Sequence, residues 1–532
     1  MFHKYGYKYD TKIGLGSSGE IYKSTDKDGR ECAIKTIICN KCTGISASTL
    51  YELMTMEKAN IYGIAKIKDY FITDNSDVTI NIVLSYFPDN LLNYIINNDI
   101  DTYKTNKIFV EIVKALYYLE SMGQYHGDLS SKNIMLDQNL NPVIIDLASS
   151  RKFRRKPINS PTMDVCPIEM LTSESIHTSK IDVWALGCLF YMMLSQDAIA
   201  DGTSKEDCVT RINEIFESNN DNSNEFASKI NYSFIGIEYR NLIKTMINID
   251  PIKRISINQL INNKFIKQMD ITLNAACEYD KTTYNPTYKH NTNILSVEDR
   301  GKMIDLLMNL QRIFEVSLET VHIAIHIIDT VQKKVHMDNI VLFLMAFSIS
   351  CKIVSDFDIS IVDINTILEN FHKDSINVKM HATIIIDICS KSKWDIDPIN
   401  LYDYIHLLNN DYKDYMNYLL ITTVVSSEIV NYDILTRILS LYIIIKCCKD
   451  DQNSDIFLKS VKNKMNPNIN FSLITNCVKV ILHSFLLKYT SHNNSSIKQF
   501  IQYSTKYCAN FNSLMKNLDA NNIMENIVLY LI

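Results

Sequence analysis

Three glycines near the N-terminus and one lysine inside an apolar run are the first residues whose spacing indicates chemistry. Gly14, Gly16 and Gly19 form the pattern GLGSSG, and glycines let a backbone approach phosphate oxygens because they carry no Cβ. The pattern alone is also typical of a flexible turn or a dinucleotide-binding fold, but a strand follows it here rather than a helix. Lys35 lies in the strand-like run ECAIKTII, where an unpaired ammonium would be costly. Glu52, on the next predicted helix, is its predicted partner.

A second group of residues lies in the segments HGDLSSKN and IDLA, which contain Asp128, Lys132, Asn133 and Asp146. These segments resemble the catalytic and magnesium-binding loops of eukaryotic protein kinases. The resemblance implies that Asp128 accepts the substrate hydroxyl proton and that Asn133 and Asp146 hold Mg²⁺ against the phosphates. It also implies that Lys132 neutralises charge on the transferred group, although many kinases carry this lysine two residues earlier.

Three later segments separate protein kinases from aminoglycoside-type small-molecule kinases, which share the HGD loop. The segments CPIE, DVWALG and DPIKR resemble the Ala-Pro-Glu, DxWxxG and DPxxR elements of protein kinases. They contain Glu169, Asp182 and Arg254 as the structural residues of these motifs. The resemblance implies a buried Glu169–Arg254 ion pair that ties the activation segment to the large lobe.

The combined motifs resemble a serine/threonine protein kinase and imply its fold, cofactors and substrates. The implied fold is α+β and two-lobed, with a β-rich small lobe and a helical large lobe. The implied cofactors are ATP and Mg²⁺, and the implied substrates are proteins. The residues implied to bind ATP are Ile13, Gly14, Gly16, Gly19, Ile21, Ala33, Lys35, Glu52, Phe87 and Met135.

The segment GISASTLYEL resembles the GVPSTAIREI helix of cyclin-dependent kinases, which is the surface that a cyclin grips. Leu50 matches the isoleucine that a cyclin buries. The resemblance implies that Glu52 swings toward Lys35 when a cyclin is docked.

Apolar residues recur at helical spacing through the C-terminal part of the chain, and two runs there resemble a cyclin box. The run ETVHIAIHIID resembles its second helix, and residues 340–352 resemble its central helix, which ends at a cyclin-type lysine, Lys352. A family glutamate at the kinase contact corresponds to His381. The resemblance implies an all-α cyclin fold fused to the kinase in one chain, as in fusions of large DNA viruses. The predicted domains are a kinase domain (1–268), a linker (269–296), a first cyclin box (297–398), a second, divergent box (399–510) and a C-terminal tail helix (511–532).

The phosphate-binding cluster of cyclin-dependent kinases is largely missing. Pro157 stands where the phosphothreonine would be, and Tyr51 and Gly127 replace two of the three arginines that hold it. Arg151 alone remains. We therefore expect a kinase that is activated in cis by its own cyclin domain and does not depend on activation-loop phosphorylation.

Other features of the predicted activation loop bear on regulation and substrates. The run RKFRRK at 151–156 is typical of a solvated face or of a surface that attracts acidic protein substrates. Ser160 and Thr162 are the hydroxyl residues left as candidate phosphate acceptors.

Composition narrows the function classes. Lys and Arg total 54 against 60 Asp and Glu in 532 residues, a net charge of −6, so a direct nucleic-acid partner is not expected. Thirteen cysteines without a repeating framework favour a reduced, intracellular, cytoplasmic location, with the nucleus as the open alternative. Apolar runs fall short of the ~18 residues that span a bilayer, so no membrane partner is expected.

Two other function classes stay open at this point. One is a pseudokinase scaffold whose cyclin domain recruits partners without phosphoryl transfer. The other is a kinase whose tail is a cyclin-fold adaptor for another protein. The presence of Lys35, Glu52, Asp128, Asn133 and Asp146 argues against the scaffold.

Overall fold

The computed structural model describes two compact units. They divide between residues 284 and 285, except that residues 376–383 group with the first unit. The predicted linker from 270 onward, the second predicted cyclin box apart from Ser440, and the predicted tail helix lie outside the described residues. The described residues are 5–16, 19–59, 63–98, 100–152, 162–172, 178–199, 204–216, 235–269, 297–355, 357–397 and 440.

The first unit begins with a five-stranded antiparallel sheet of order β1-β2-β3-β5-β4. One helix, α1 (Ala47–Lys58), connects β3 to β4. The strands are β1 (Tyr7–Gly16), β2 (Gly19–Asp26), β3 (Glu31–Ile38), β4 (Ile67–Asp74) and β5 (Val78–Ser85).

The register of this sheet brings the predicted site residues of three strands side by side. Ile21 of β2 pairs with Lys35 of β3, and Lys35 pairs in turn with Ile82 of β5. Gly19 is required by packing, since a Cβ there would lie 2.3 Å from the backbone oxygen of Thr36. Lys35 is therefore held in the middle of an apolar sheet, as its sequence context predicts.

The connection from β3 to α1 is a closed turn followed by a capped helix start. Asn40 and Gly44 exchange two backbone hydrogen bonds of 2.8 Å, and Gly44 has a φ of +73°, which favours glycine. The Ser46 hydroxyl accepts a hydrogen bond from the backbone N–H of Thr49, so it caps α1. These contacts fix where α1 begins, and therefore where Glu52 lies.

The rest of the first unit is mainly helical, with two small sheets of order β6-β8-β9 and β10-β7. The predicted two-lobed arrangement, with a β-rich part followed by a helical part, is confirmed. The short strands are β6 (Asp89–Asn90), β7 (Gln124–Tyr125), β8 (Ile134–Leu136), β9 (Pro142–Ile144) and β10 (Arg151–Lys152), and 3₁₀ turns cover Leu147–Ser149 and Met163–Val165. The helices are α2 (Leu91–Asn97), α3 (Thr102–Ser121), α4 (Ile168–Thr172), α5 (Lys180–Ser195), α6 (Lys205–Phe216), α7 (Ile237–Met246), α8 (Ile257–Ile261) and α9 (Lys264–Met269).

Helix α5 is the central helix of this helical part. Every residue from 181 to 193 is buried, and a helix that is apolar on all sides is typical of a domain core. The helix begins close to Asp182, so the core anchors a residue that the sequence analysis places in a structural motif.

The second unit is helical in its described residues. Residues 342–353 of its third helix are all buried, so that helix forms the core of the unit. Its helices are α10 (Val297–Ile313), α11 (Leu318–Val331), α12 (Asn339–Val354), α13 (Ile361–Asn370) and α14 (Val378–Lys391), the first residues of α14 grouping with the first unit.

None of the helices that the structure describes has both the length and the apolar character needed to cross a membrane.

Gly187→Ala should destabilise the kinase unit. A Cβ at Gly187 would lie 2.7 Å from Cγ1 of Ile247 and 2.9 Å from Cβ of Met246. We expect overpacking of about 1–3 kcal/mol, partly offset by ~1 kcal/mol of helix propensity. Urea denaturation should be followed by Trp184 fluorescence in a Trp394→Phe background.

The matched control is Gly236→Ala, whose Cβ would make an ordinary contact of 3.5 Å with Tyr239 and change stability by less than ~1 kcal/mol. Equal effects of the two substitutions would contradict this account of α5 packing.

Candidate active site

A cluster of three charged side chains, two of them buried, joins β3, α1 and the turn after β9. Nζ of Lys35 lies 2.6 Å from Oε1 of Glu52 and 3.0 Å from Oδ1 of Asp146. Lys35 is 4% exposed and Glu52 is 1% exposed. The partner predicted for the lysine is therefore present, and Asp146 is a second partner.

The electrostatics of this cluster follow from burial and from the two neighbouring carboxylates. Burial lowers the pKa of Lys35, but the nearby Glu52 and Asp146 carboxylates outweigh it, so the pKa is raised and the ammonium stays charged. Burial raises the pKa of Glu52, against the attraction of Lys35. Each charge is thus stable only in the presence of the others.

The Asp182 carboxylate holds the loop that precedes Asp128. The Asp182 carboxylate accepts hydrogen bonds from the backbone N–H groups of His126, at 2.6 Å, and Gly127, at 3.0 Å. Nε2 of His126 lies 3.1 Å from the carbonyl oxygen of Ile145, which places the Asp128 loop beside Asp146. Because Asp182 begins the buried helix α5, the core of the helical part fixes this loop.

Asp128 itself is held by Thr162, which lies in the activation segment after the basic run 151–156. The backbone N–H and the hydroxyl of Thr162 both donate to Oδ1 of Asp128, at 2.9 and 2.6 Å. Burial raises the pKa of Asp128, and these two hydrogen bonds act in the opposite direction. Sequence reasoning missed this role, since it named Thr162 only as a candidate phosphate acceptor and its spacing gave no other signal.

Asn133 and Asp146 present oxygen atoms of the kind that Mg²⁺ prefers. Nδ2 of Asn133 donates to the main-chain oxygen of Asp128 at 2.9 Å, which leaves Oδ1 as the atom that Asn133 can offer to a cation. Asp146 has a left-handed backbone, with φ 58° and ψ 62°, and this is uncommon for a non-glycine residue. No group of three or more His, Cys, Asp or Glu within the described residues could hold a metal. The oxygen atoms of Asn133 and Asp146 fit a Mg²⁺ ion that takes its other ligands from phosphate and water.

Most of the predicted ATP-binding residues lie on the strands β1, β2 and β3. Gly14 pairs with Ile21 across β1 and β2, and Gly16 pairs with Gly19. Gly16 and Gly19 are therefore the last pair of the two strands before residues 17–18, which lie outside the described residues. The five apolar residues predicted to contact ATP are all at least partly exposed, namely Ile13, Ile21, Ala33, Phe87 and Met135.

Three other predicted site residues have clear positions. The Lys132 side chain is exposed. Leu50 is fully buried. Lys352 is fully buried in the second unit, where its ammonium pairs with Asp358.

The basic run of the activation loop is only partly available to substrates. Arg151 is 1% exposed and Lys152 is 7% exposed, so these two residues do not contribute to a solvated face. The remaining basic residues of the run, 154–156, lie outside the described residues.

The ion pair implied for Glu169 and Arg254 is present and buried. Nη1 and Nη2 of Arg254 donate to the two carboxylate oxygens of Glu169, at 2.6 and 3.1 Å. The guanidinium also donates to the backbone oxygens of Lys180 and Asn248 and lies over the ring of Trp184. This bidentate geometry is the strong form of an arginine–carboxylate contact, and it joins α4 to the helical core.

Comparison with known proteins agrees with this geometry. Residues 7–266 match the family model described as a protein kinase domain. A probable CTD kinase subunit alpha homologue from Encephalitozoon cuniculi is 26% identical over 275 residues, which cover 48% of this chain and 82% of the relative. A probable cell division protein kinase from the same organism is 28% identical over 209 residues, or 38% of this chain and 76% of the relative.

Two further relatives come from other sources. The probable serine/threonine-protein kinase glkA of Dictyostelium discoideum is 24% identical over 302 residues, covering 52% of this chain and 62% of the relative. A protein of Acanthamoeba polyphaga mimivirus named as a serine/threonine-protein kinase is 28% identical over 254 residues, covering 46% of this chain and 45% of the relative. The match of residues 7–266 to a protein kinase domain and the names of these relatives support a protein serine/threonine kinase. Domains of this family in general use ATP and Mg²⁺.

Lys35→Met should destabilise the protein, and the loss should depend on pH. Removing the ammonium leaves Glu52 buried beside Asp146, which costs ~3–5 kcal/mol when a buried pair is broken. The pKa of Glu52 already exceeds its ordinary value of 4.5 and should rise further. A raised folded-state pKa adds stability below the unfolded value and loses it as pH rises through the folded value. The deficit should therefore be larger at about pH 7.5 than at about pH 5.5.

Denaturation at the two pH values checks this, with Lys35→Met/Glu52→Gln as the matched variant. The double variant lacks the buried carboxylate and should recover stability at neutral pH. A deficit that is the same at both pH values, or a double variant as unstable as the single one, would contradict the cluster.

Proposed function

We propose that Asp128 accepts the proton of a substrate serine or threonine hydroxyl during phosphoryl transfer from ATP. We propose further that the C-terminal part of the chain is a cyclin fold that activates this kinase in cis, without activation-loop phosphorylation. The observation that carries the proposal is the assembled Lys35–Glu52–Asp146 cluster next to an Asp128 that is already oriented by Thr162.

Each residue in this arrangement has a task that its position supports. Lys35, held by Glu52, would bind phosphate oxygens. Asn133 and Asp146 would hold Mg²⁺, which neutralises phosphate charge when bound. Thr162 orients Asp128, and the raised pKa of that carboxyl makes it a better proton acceptor than an ordinary aspartate.

The pseudokinase scaffold is the competing function. It predicts no need for a proton acceptor, whereas the hydrogen bonds from Thr162 and Asn133 hold Asp128 at one place and orientation. Phosphoryl transfer is therefore the function that the geometry supports better.

Activation in cis is supported by the second unit and by residues 376–383. The first predicted box, 297–398, contains the five helices α10 to α14, and the runs matched to the second and central cyclin helices lie in α11 and α12. Within the first unit, Nζ of Lys379 lies 3.4 Å from Oδ2 of Asp74. A Cβ on Gly44 would lie 2.2 Å from Nδ1 of His381. The turn that starts α1 is thus in contact with a residue of the predicted cyclin box.

Asp128→Asn should lower kcat at least about a hundredfold, because it removes a general base and no phosphate contact. Nucleotide binding should remain within about threefold of wild type. Steady-state phosphorylation of a generic serine/threonine substrate by the full chain, and titration with a fluorescent nucleotide, measure the two effects.

The control is Asp101→Asn. The Asp101 side chain caps α3 by accepting from the backbone N–H of Lys104, and asparagine is an equally good cap. An Asp128→Asn variant that keeps most of its activity would contradict the assignment. A wild-type chain with no activity above this variant would favour the scaffold.

Gly44→Ala in the full chain should lower kcat roughly tenfold, because the new methyl group collides with His381 at the start of α1. Gly29→Ala is the matched control, since Gly29 also has a positive φ, of +79°, but has nothing within 4 Å of its Cβ. Measurement of kcat should show the control close to wild type.

The double variant Gly44→Ala/His381→Ala separates collision from backbone strain. We expect it to recover the kcat of His381→Ala, within about threefold. Equal losses for Gly44→Ala and Gly29→Ala, or no recovery in the double variant, would rule against the role of His381 in activation.

A further inference from the structure

Arg151 is the one arginine left at the positions that bind the activating phosphate in similar kinases, and its guanidinium contacts two backbone oxygens and an aromatic ring. It lies in β10, where it pairs with Tyr125 of β7. Its Nη1 donates to the backbone oxygens of Ala148, at 3.0 Å, and Ser150, at 2.6 Å. The side chain is 1% exposed, so its position is fixed by the turn that follows Asp146.

The face of this guanidinium is covered by an aromatic ring from α1. Cζ of Arg151 lies 4.0 Å from the centroid of the Tyr51 ring, well within the ~6 Å range of a cation–π contact. Tyr51 is 1% exposed, and a desolvated pair of this kind is stronger than an exposed one. The contact joins α1 directly to the start of the activation segment.

We propose that Tyr51 and Arg151 form a phosphate-independent clamp that positions α1 against the activation segment. The inference rests on the proposed function, and it assigns to these two side chains the task that a phosphate and three arginines perform in similar kinases. Both are positioning residues, since they act through Glu52 and Asp146 rather than on the substrate.

Sequence neighbours show how the clamp acts. Tyr51 precedes Glu52 on α1, and Arg151 follows Asp146 by five residues. The clamp and the Lys35 cluster therefore join the same two segments at adjacent points. If α1 moved away from the activation segment, Glu52 would leave Lys35 and the ring would leave Arg151 together.

Gly127 shows that this site is built differently from a phosphate cluster. Gly127 has a φ of +82°, and a Cβ there would lie 2.7 Å from the backbone oxygen of Ser149. A second arginine at this position would meet both backbone strain and the turn that carries Arg151.

The test is a double-mutant cycle on the full chain, with kcat, the KM for MgATP and nucleotide affinity as readouts. Tyr51→Leu removes the ring face, and Arg151→Lys keeps the charge but removes the planar guanidinium. Each should lower kcat about tenfold with nucleotide affinity unchanged within about threefold. The kcat of the double variant should be no lower than that of the less active single variant, because each change already breaks the same contact.

Tyr51→Phe is the conservative control, which keeps the ring and should keep kcat within about threefold of wild type. Tyr51→Met serves as the ring-free variant if Tyr51→Leu does not fold. The clamp is overturned if the two single losses multiply in the double variant, if Tyr51→Phe is as impaired as Tyr51→Leu, or if the ring-free variant is fully active. The proposed function fails separately, when wild type is no more active than Asp128→Asn.

Discussion

The buried ammonium of Lys35 is the constraint on which the site depends, because it is stable only with carboxylates on two other segments. Glu52 is supplied by α1 and Asp146 by the turn after β9. A charge that is 4% exposed cannot be left without these partners at small cost. The positions of α1 and of the activation segment are therefore coupled to a single residue of the central strand β3.

The large lobe adds a second constraint, which works through backbone hydrogen bonds. Asp182 accepts from two consecutive N–H groups before Asp128, and Arg254 holds Glu169 at the end of the activation segment. Both anchors are buried and both lie on or against α5. The buried core thus fixes both the loop before Asp128 and Glu169, and a rigid scaffold of this kind positions loops for chemistry.

The parts of the site that could be predicted from the sequence are those in which a buried charge requires an opposite charge nearby. A lysine in an apolar strand requires an acidic partner, and Glu52 was identified as that partner from its place on the next helix. The two-lobed fold followed from motif order. The contacts of Thr162 with Asp128 and of Tyr51 with Arg151 were not predicted, because both join residues that are far apart in sequence through a loop path that no local pattern specifies. The basic run 151–156 was interpreted as one unit, yet Arg151 and Lys152 are buried where they pair with Tyr125 and Gln124 of β7.

The central claim is that α1 and the activation segment are held together without a phosphate group. The most direct measurement is the kinase activity of the full chain, produced without upstream kinases and treated with phosphatase, after intact-mass analysis has shown no phosphate. We expect activity within about twofold of the untreated protein, because no phosphate-dependent arginine cluster is needed. Activity that is lost on this treatment and returns with phosphate on Ser160 or Thr162 would contradict it.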